Sequence, residues 1–89
     1  MMNKRERGTS VTITKAARRA GVEVHVVRHC VEVGLMDEKL SEDDLADLRR
    51  VRRLMRLGIN LPGVEVILRM RRRIQQLQAD LARLERLVG

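Results

Sequence analysis

An apolar stripe near the end of the chain, with alternating spacings of three and four residues, most limits the possible folds. Asn60 and Pro62 predict a helix start, because asparagine caps helices and proline is tolerated in their first turn. No helix-breaking residue follows between residues 64 and 88, so the helix extends for roughly 40 Å. The stripe consists of Ile67, Met70, Ile74, Leu77, Leu81, Leu84 and Val88.

These seven positions are the a and d positions of three heptads, a pattern typical of a coiled-coil seam. The whole chain has 89 residues, and a domain of this size has little apolar surface left to cover such a helix. For the first heptad we expect packing on its own domain. Beyond Leu77 we expect the stripe to pair with a second copy, which predicts a homodimer.

Charges beside the stripe favour an antiparallel pair. With Ile67 at position a, Arg71 and Glu85 occupy e positions, while Arg73 and Asp80 occupy g positions. In an antiparallel pair Arg71 approaches Glu85 of the partner subunit, and Arg73 approaches Asp80 of the partner subunit. A parallel pair would bring two carboxylates together, although β-branched residues at a with leucine at d favour that form. Each exposed pair contributes at most about 1 kcal/mol, so these charges set the orientation rather than drive assembly.

Turn signals divide the preceding residues into shorter helices. Thr14 is predicted to cap a helix over residues 15–20, which Gly21 ends. Residues 22–35 are ambiguous, because alternating valines at their start favour a strand, while apolar residues four apart favour a helix. We predict a helix over residues 24–33.

A third helix has the clearest start signal. Ser41 with Asp44 three residues later forms a capping box, and Gly58 ends the helix. The sequence thus predicts an all-α chain in three parts. Residues 1–10 form a mobile basic arm, residues 11–59 a helix-turn-helix domain around Gly21, and residues 60–89 a helix ending in a coiled-coil dimerisation segment.

The charge balance points to a polyanionic partner. Sixteen arginines and three lysines stand against 12 acidic residues, for a net charge of +7 that is spread along the chain. Nucleic acid is the leading candidate, with arginine acting merely as a solubilising residue as the alternative. The chain contains no aromatic residue, which argues against single-strand binding by base stacking and favours double-stranded DNA.

Other function classes find little support in the sequence. Cys30 is the only cysteine, and the chain has neither a long apolar run nor a signal peptide, so we expect a cytoplasmic protein without a membrane partner. His25 and His29 lie four residues apart beside Cys30, but two or three such ligands without a completing partner do not predict a metal site. No catalytic motif is present, so we expect no enzyme activity and no cofactor.

Local sequence carries a family resemblance. The segment VTITKAARRAGV, followed by HVVRHCVEVGLM, resembles the start of a MerR-superfamily winged helix-turn-helix domain. The segment LSEDDLADLRRVRRLMRLGINLPGVEVIL resembles that superfamily's second helix pair, and RRRIQQLQADLARLERL lies where its antiparallel dimerisation helix lies. Within it, LGINLPGVEVIL is similar to two small branches, the heat-shock gene repressors and the chaperone modulators that bind J-domain co-chaperones.

The resemblance implies a dimeric DNA-binding transcriptional regulator without an effector domain, nucleoid-associated when bound to DNA. It implies that the second helix lies in the DNA major groove, with His25 and Arg28 at positions that contact DNA. His29 replaces a tyrosine that commonly contacts the backbone, and Arg18 and Arg19 lie where we expect further backbone contacts. The family's β-hairpin wing is shortened here to residues 36–40, which removes phosphate contacts.

That shortened wing keeps two alternatives open. The first is a chaperone modulator that uses the same scaffold to bind a J-domain co-chaperone. The second is an assembly protein with neither partner, for which Arg28→Ala would change no binding.

Overall fold

Four helices make up most of residues 12–89, which are the residues described by the computed structural model. Helix α1 spans Ile13–Ala20, α2 spans Val24–Glu32, α3 spans Glu42–Arg56 and α4 spans Leu61–Val88. No strand occurs over this range, so the all-α prediction is confirmed, with a helix-turn-helix followed by a long C-terminal helix. The arm predicted for residues 1–10 lies outside the described residues.

Side-chain caps begin α3 and α4 where the sequence predicts them. The Ser41 hydroxyl accepts a hydrogen bond from the Asp44 amide at 3.1 Å, and the Asp44 carboxylate accepts one from the Ser41 amide at 3.0 Å. The Asn60 side chain accepts from the Gly63 amide at 2.9 Å, and Pro62 lies in the first turn. Each cap satisfies backbone donors that the helix leaves without a partner.

The start of α1 differs from the prediction. Thr12, rather than Thr14, is the cap, and its hydroxyl accepts from the Lys15 amide at 3.3 Å. Thr12 has extended backbone angles, as a capping residue requires, whereas Thr14 lies within the helix. Thr12 and Thr14 have the same side chain, so the sequence offers the same capping signal at both positions. Thr12 is the cap because the helix already begins at Ile13.

Gly21 ends α1 and sets the turn into α2. Its φ of +75° is left-handed, and its amide donates to the carbonyl of Ala17 at 2.9 Å. The guanidinium of Arg52, from α3, lies over this glycine, and an added Cβ would come within 3.0 Å of it. The turn and the arginine therefore pack closely. Helix α2 begins three residues after Gly21, at Val24, with Glu23 as its cap residue.

A small apolar core lies among α1, α2, α3 and the beginning of α4. Helix α1 packs on both α2 and α3, and α3 packs on α4. In the described residues, no polar or charged side chain is fully buried within this core. Its members are Ala16, Ala17, Ala20, Val26, Val27, Cys30, Leu35, Met36, Leu40, Leu45, Leu48, Val51, Val64 and Leu68.

Residues 33–41 connect α2 to α3 without forming a hairpin. Leu35, Met36 and Leu40 turn into the core, while residues 37–39 are exposed. These three buried side chains anchor the short connection to the core. The predicted reduction of the wing is thus confirmed.

Helix α4 has one face toward the core and another toward solvent. Val64 and Leu68 are buried against α3, and they lie about 130° around the helix from the centre of the heptad stripe. Met70 is 59% exposed and Leu81 57%, and the remaining stripe residues are exposed as well. Even Ile67, in the first heptad, is 36% exposed, so Val64 and Leu68 rather than the stripe attach α4 to its own domain.

Candidate nucleic-acid interface

The outer face of α2 is open along its whole length. Val26, Val27 and Cys30 turn inward, which places His25 and Arg28 on the opposite, exposed side. Within residues 12–89, Arg28 makes no ion pair or side-chain hydrogen bond, so its five N–H donors are available to a ligand. Two residues predicted to contact DNA thus share one exposed helix face.

Glu32 lies on that same face, one turn beyond Arg28, and the sequence did not single it out. A carboxylate there repels phosphate but can accept a hydrogen bond from the N4 amino group of cytosine. The face of α2 is therefore not uniformly positive. This face consists of His25, Arg28 and Glu32, which follow one another at three- and four-residue intervals. The interval pattern is visible in the sequence, but it identifies the outer face only once the buried valines are known.

The two predicted arginines of α1 differ in their surroundings. Arg18 is exposed, without an ion-pair partner in the described part of the chain. Arg19 forms an ion pair with Glu42 of α3 at 3.3 Å, and both side chains are about half exposed. Since exposed pairs of this kind are weak, a phosphate can compete with Glu42 for this guanidinium.

His29 faces α4 rather than open solvent. Its Nε2 lies 3.0 Å from the Glu65 carboxylate, and the same carboxylate accepts from Arg69 at 3.0 Å. Arg69 also donates to the backbone carbonyl of Val33 at 2.8 Å, at the end of α2. These contacts form a polar joint between α2 and α4. The sequence did not predict this joint, because the partners lie 36 residues apart.

The electrostatics of this joint favour an ionised carboxylate. The hydrogen bond from His29, followed by that from Arg69, lowers the pKa of Glu65 below its usual value. Either the imidazolium or the neutral ring with hydrogen on Nε2 donates this bond. The predicted backbone contact of His29 with DNA remains a prediction, and the same ring has a partner inside the protein.

Helix α3 adds a row of arginines that the predicted contact set did not include. Arg52 lies against Gly21, and with Arg56 it borders a shallow pocket at the helix-turn-helix turn. Arg49, Arg52, Arg53 and Arg56 recur at helical spacing along one exposed side. The signal was visible in the sequence, but only the packing of α3 across α1 brings Arg52 beside the turn.

The histidines and the cysteine of α2 do not converge. His25 is exposed, His29 contacts Glu65, and Cys30 is 1% exposed within the core. Burial raises the pKa of the Cys30 thiol to about 11. Across residues 12–89, no three His, Cys, Asp or Glu side chains cluster closely enough to hold a metal ion.

The site therefore consists of an exposed helix with polar side chains, a neighbouring helix with two arginines, and an arginine row that borders the turn between them. Such an arrangement offers hydrogen-bond donors to phosphates and to base edges.

None of the helices in residues 12–89 has an apolar segment of the length needed to cross a bilayer.

Comparison with protein families gives one finding. Residues 11–86 match the model of the MerR HTH family of regulatory proteins, which covers the helix-turn-helix and nearly all of α4. Comparisons with curated proteins and with solved structures gave no match. The match is to the family as a whole, so the resemblance of LGINLPGVEVIL to two branches remains a prediction. The chain belongs to the MerR HTH family of DNA-binding transcription regulators, a class that is not enzymatic.

Proposed function

We propose that the protein is a cytoplasmic, nucleoid-associated homodimer that binds double-stranded DNA through α2. The observation that supports this most directly is the open face of α2, where His25 and Arg28 are both exposed, as is Arg18 on α1. A helix of this kind fits the major groove, where side chains reach base edges. Arg28 is the residue we assign to a guanine edge or a phosphate, and His25 to a neighbouring base.

Phosphate contacts are assigned to α1 and to His29 of α2. Arg18 and Arg19 extend from the last turn of α1, and Arg19 exchanges Glu42 for a phosphate on binding. His29 is assigned to the backbone as well, through the Nδ1–H of the imidazolium, because Nε2 contacts Glu65. Without a hairpin wing, few phosphates are neutralised per subunit, so the dependence of affinity on salt is expected to be modest for a regulator.

Dimerisation places two such helices on one DNA molecule. The stripe from Ile67 to Val88 is exposed throughout, and pairing it with a second copy removes this apolar surface from water. In the antiparallel register Met70 packs opposite Val88 of the partner subunit, and Ile74 opposite Leu84 of the partner subunit. Asp80 already bonds Arg83 at 2.7 Å and Gln76 at 3.0 Å, which leaves Arg71 with Glu85 of the partner subunit as the stronger orienting pair.

DNA binding is tested with duplexes selected from a random-sequence library, by fluorescence anisotropy over a salt titration. Arg28→Ala is expected to weaken binding about 5- to 150-fold, as the loss of one good base or phosphate contact does. Arg86→Ala is the matched control, because it removes the same charge from an exposed position near the end of α4. Absence of duplex binding at about 50 mM salt would defeat the proposal.

Orientation is tested by cross-linking of two single-cysteine variants, Met70→Cys and Val88→Cys, each with Cys30→Ala. Antiparallel pairing predicts a disulfide only when the two variants are mixed, since residue 70 of one subunit faces residue 88 of the other. Parallel pairing predicts links within each variant alone.

A J-domain co-chaperone is the second candidate partner. The observation that favours it is the connection over residues 33–41, which lacks a hairpin and exposes Asp37 and Glu38. Calorimetry with a purified J-domain co-chaperone tests this function directly. Binding that competes with DNA supports a shared surface, and absence of binding at high micromolar concentration removes this candidate.

A further inference from the structure

Four arginines of α3 form a positively charged row that has no carboxylate partner in the described chain. All four are exposed, and within residues 12–89 none of them forms an ion pair or a side-chain hydrogen bond. The row consists of Arg49, Arg52, Arg53 and Arg56. The DNA contacts proposed above come from α1 and α2, so they leave this row without a ligand.

Three of the four acidic residues of α3 already have other partners. Glu42 accepts from Arg19 at 3.3 Å, and Asp47 accepts from Arg50 at 3.0 Å. Asp44 closes the capping box at the start of the helix. The fourth acidic residue also lies in the first turn, whereas the row begins in the middle of the helix. The charge of the row is therefore not neutralised by its own helix.

The physics of an isolated helix explains only part of this row. Arg53 and Arg56 lie in the last turn of α3, where positive charge is favourable beside the helix dipole. Arg49 and Arg52 lie farther from that end. Arg49 with Arg53, and Arg52 with Arg56, are like charges four residues apart, a spacing at which repulsion destabilises a helix. An anion that binds the row removes this repulsion.

A shallow apolar pocket lies beside the row, at the turn between α1 and α2. It has a volume of about 300 Å³, and Val22, Val26 and Met55 contribute its apolar walls. Arg52 and Arg56 line the same pocket, so two members of the row meet apolar surface there. Met55 is 37% exposed, and a ligand can therefore reach this surface. The surface combines positive charge with a place for one apolar side chain.

We propose that the arginine row and this pocket bind an acidic peptide segment of a partner protein, with an apolar side chain in the pocket and carboxylates on the row. Guanidinium groups bind carboxylates through paired N–H donors, which gives each contact a defined geometry. Arg49 and Arg56 are seven residues apart, which is about 10 Å along α3. An extended peptide covers that distance with about three residues, so we expect acidic residues at positions i and i+3 of the segment.

The pocket favours a peptide over a nucleic acid. Glu23 also lines it, and this exposed carboxylate repels phosphate. A peptide can place an uncharged side chain beside Glu23 and donate a backbone N–H to its carboxylate. The sugar–phosphate backbone of DNA carries closely spaced negative charges along its whole length and offers no N–H donor. The charge of the row and the lining of the pocket together select an acidic peptide with one apolar residue.

Binding is tested by fluorescence anisotropy with a panel of labelled seven-residue peptides, at about 150 mM salt to screen long-range attraction. Each peptide has acidic residues at i and i+3 and one leucine, whose position varies across the panel. At least one peptide is expected to bind with a dissociation constant below about 100 μM. Replacing its leucine with serine should weaken binding roughly fivefold, because the pocket then loses its apolar ligand.

Charge reversal locates the site. Arg49→Glu and Arg56→Glu are each expected to weaken peptide binding on the order of tenfold. Both positions are exposed, so the fold is retained, and circular dichroism checks this. Arg86→Glu is the matched control, because it makes the same change of charge at an exposed position of α4. Arg28→Glu makes that change on the outer face of α2, and both controls should stay within about twofold of wild type.

The proposal is overturned if no peptide of the panel binds, or if Arg49→Glu and Arg56→Glu bind as wild type does. Weakening by Arg28→Glu to the same extent would place the peptide on α2 and would also overturn it. If the two α3 variants instead weaken binding of duplex DNA and leave peptide binding unchanged, the row is a nucleic-acid surface. The peptide readout depends neither on DNA binding nor on the dimer, so failure of those proposals leaves this one standing.

Discussion

The core domain, which consists of α1–α3 and the beginning of α4, and the second half of α4 contain similar apolar residues in opposite environments. These residues are buried in the core domain and exposed in the second half of α4. Leu68, on α4, is 1% exposed, whereas Leu81, three to four turns later on the same helix, is 57% exposed. From residue 73 to residue 89 no side chain is buried. The helix is continuous across this boundary, so its backbone hydrogen bonds do not depend on a core. What changes is the presence of a neighbouring element, and among residues 12–89 none packs against the second half of α4.

The largest expected difference between the two regions is in thiol reactivity. Cys30 should react with an alkylating reagent on the order of 10³-fold or more slowly than a cysteine placed at Leu81 in a Cys30→Ala background. The physical reasons are burial of Cys30, which raises its pKa to about 11, and exposure of position 81 in the monomer. The measurement is mass spectrometry of dilute native protein over time. Rapid native labelling of Cys30 would show that the core opens easily.

A pair of leucine truncations gives the next largest effect. Leu48→Ala should lower the free energy of unfolding by about 2–5 kcal/mol, because Leu48 is fully buried and leaves a cavity. Leu84→Ala, at a 56% exposed position, should have little effect on a dilute monomer and lower the stability only at concentrations that support a dimer. Urea unfolding followed by circular dichroism at two concentrations measures both. Equal, concentration-independent losses would contradict the distinction.

The cap of α1 sharpens the comparison at the start of the domain. Thr12→Ala should cost about 1 kcal/mol of unfolding free energy, because it removes the acceptor for the Lys15 amide. Thr14→Ala is the matched control within the helix, where alanine is the better helix former, so the stability should stay the same or rise slightly. The reverse order in thermal unfolding would restore Thr14 as the cap.

The joint between α2 and α4 predicts a small effect of acid. His29 and Arg69 lower the pKa of Glu65 in the folded protein, so its contribution to stability is present above the unfolded pKa and is lost as the pH falls through the folded value. The difference in melting temperature between wild type and Glu65→Gln should therefore shrink from about pH 6 to about pH 3. A difference that stays constant over this range would show that the ionised carboxylate has no role in the joint.

The sequence predicted local elements well where one short-range signal dominated. The capping box at Ser41, the cap at Asn60 and the helix chosen for residues 24–33 agree with the structure to within one or two residues. The cap of α1 was misplaced because Thr12 and Thr14 present the same side-chain chemistry. The ion pairs of Arg19 with Glu42 and of Arg72 with Asp47 were out of reach, since each joins residues 23 or more positions apart.

Among the predicted contact residues, the sequence could name chemical types but not their surroundings. Arg18, His25 and Arg28 are exposed, as the prediction requires, while Arg19 and His29 have protein partners. Arg52 was visible as one of several arginines, and its place over Gly21 follows only from the crossing of α3 and α1.

By itself, the sequence determined the four helices, the shortened wing over residues 36–40 and the heptad stripe, because caps, glycines and helical periodicity act over a few residues. Tertiary structure decided which face of each helix is occupied. It attached α4 through Val64 and Leu68, left the stripe open and turned His29 toward Glu65. The physical reason is that burial and ion pairing depend on which surfaces meet, and chain-distant surfaces meet only after the helices have packed.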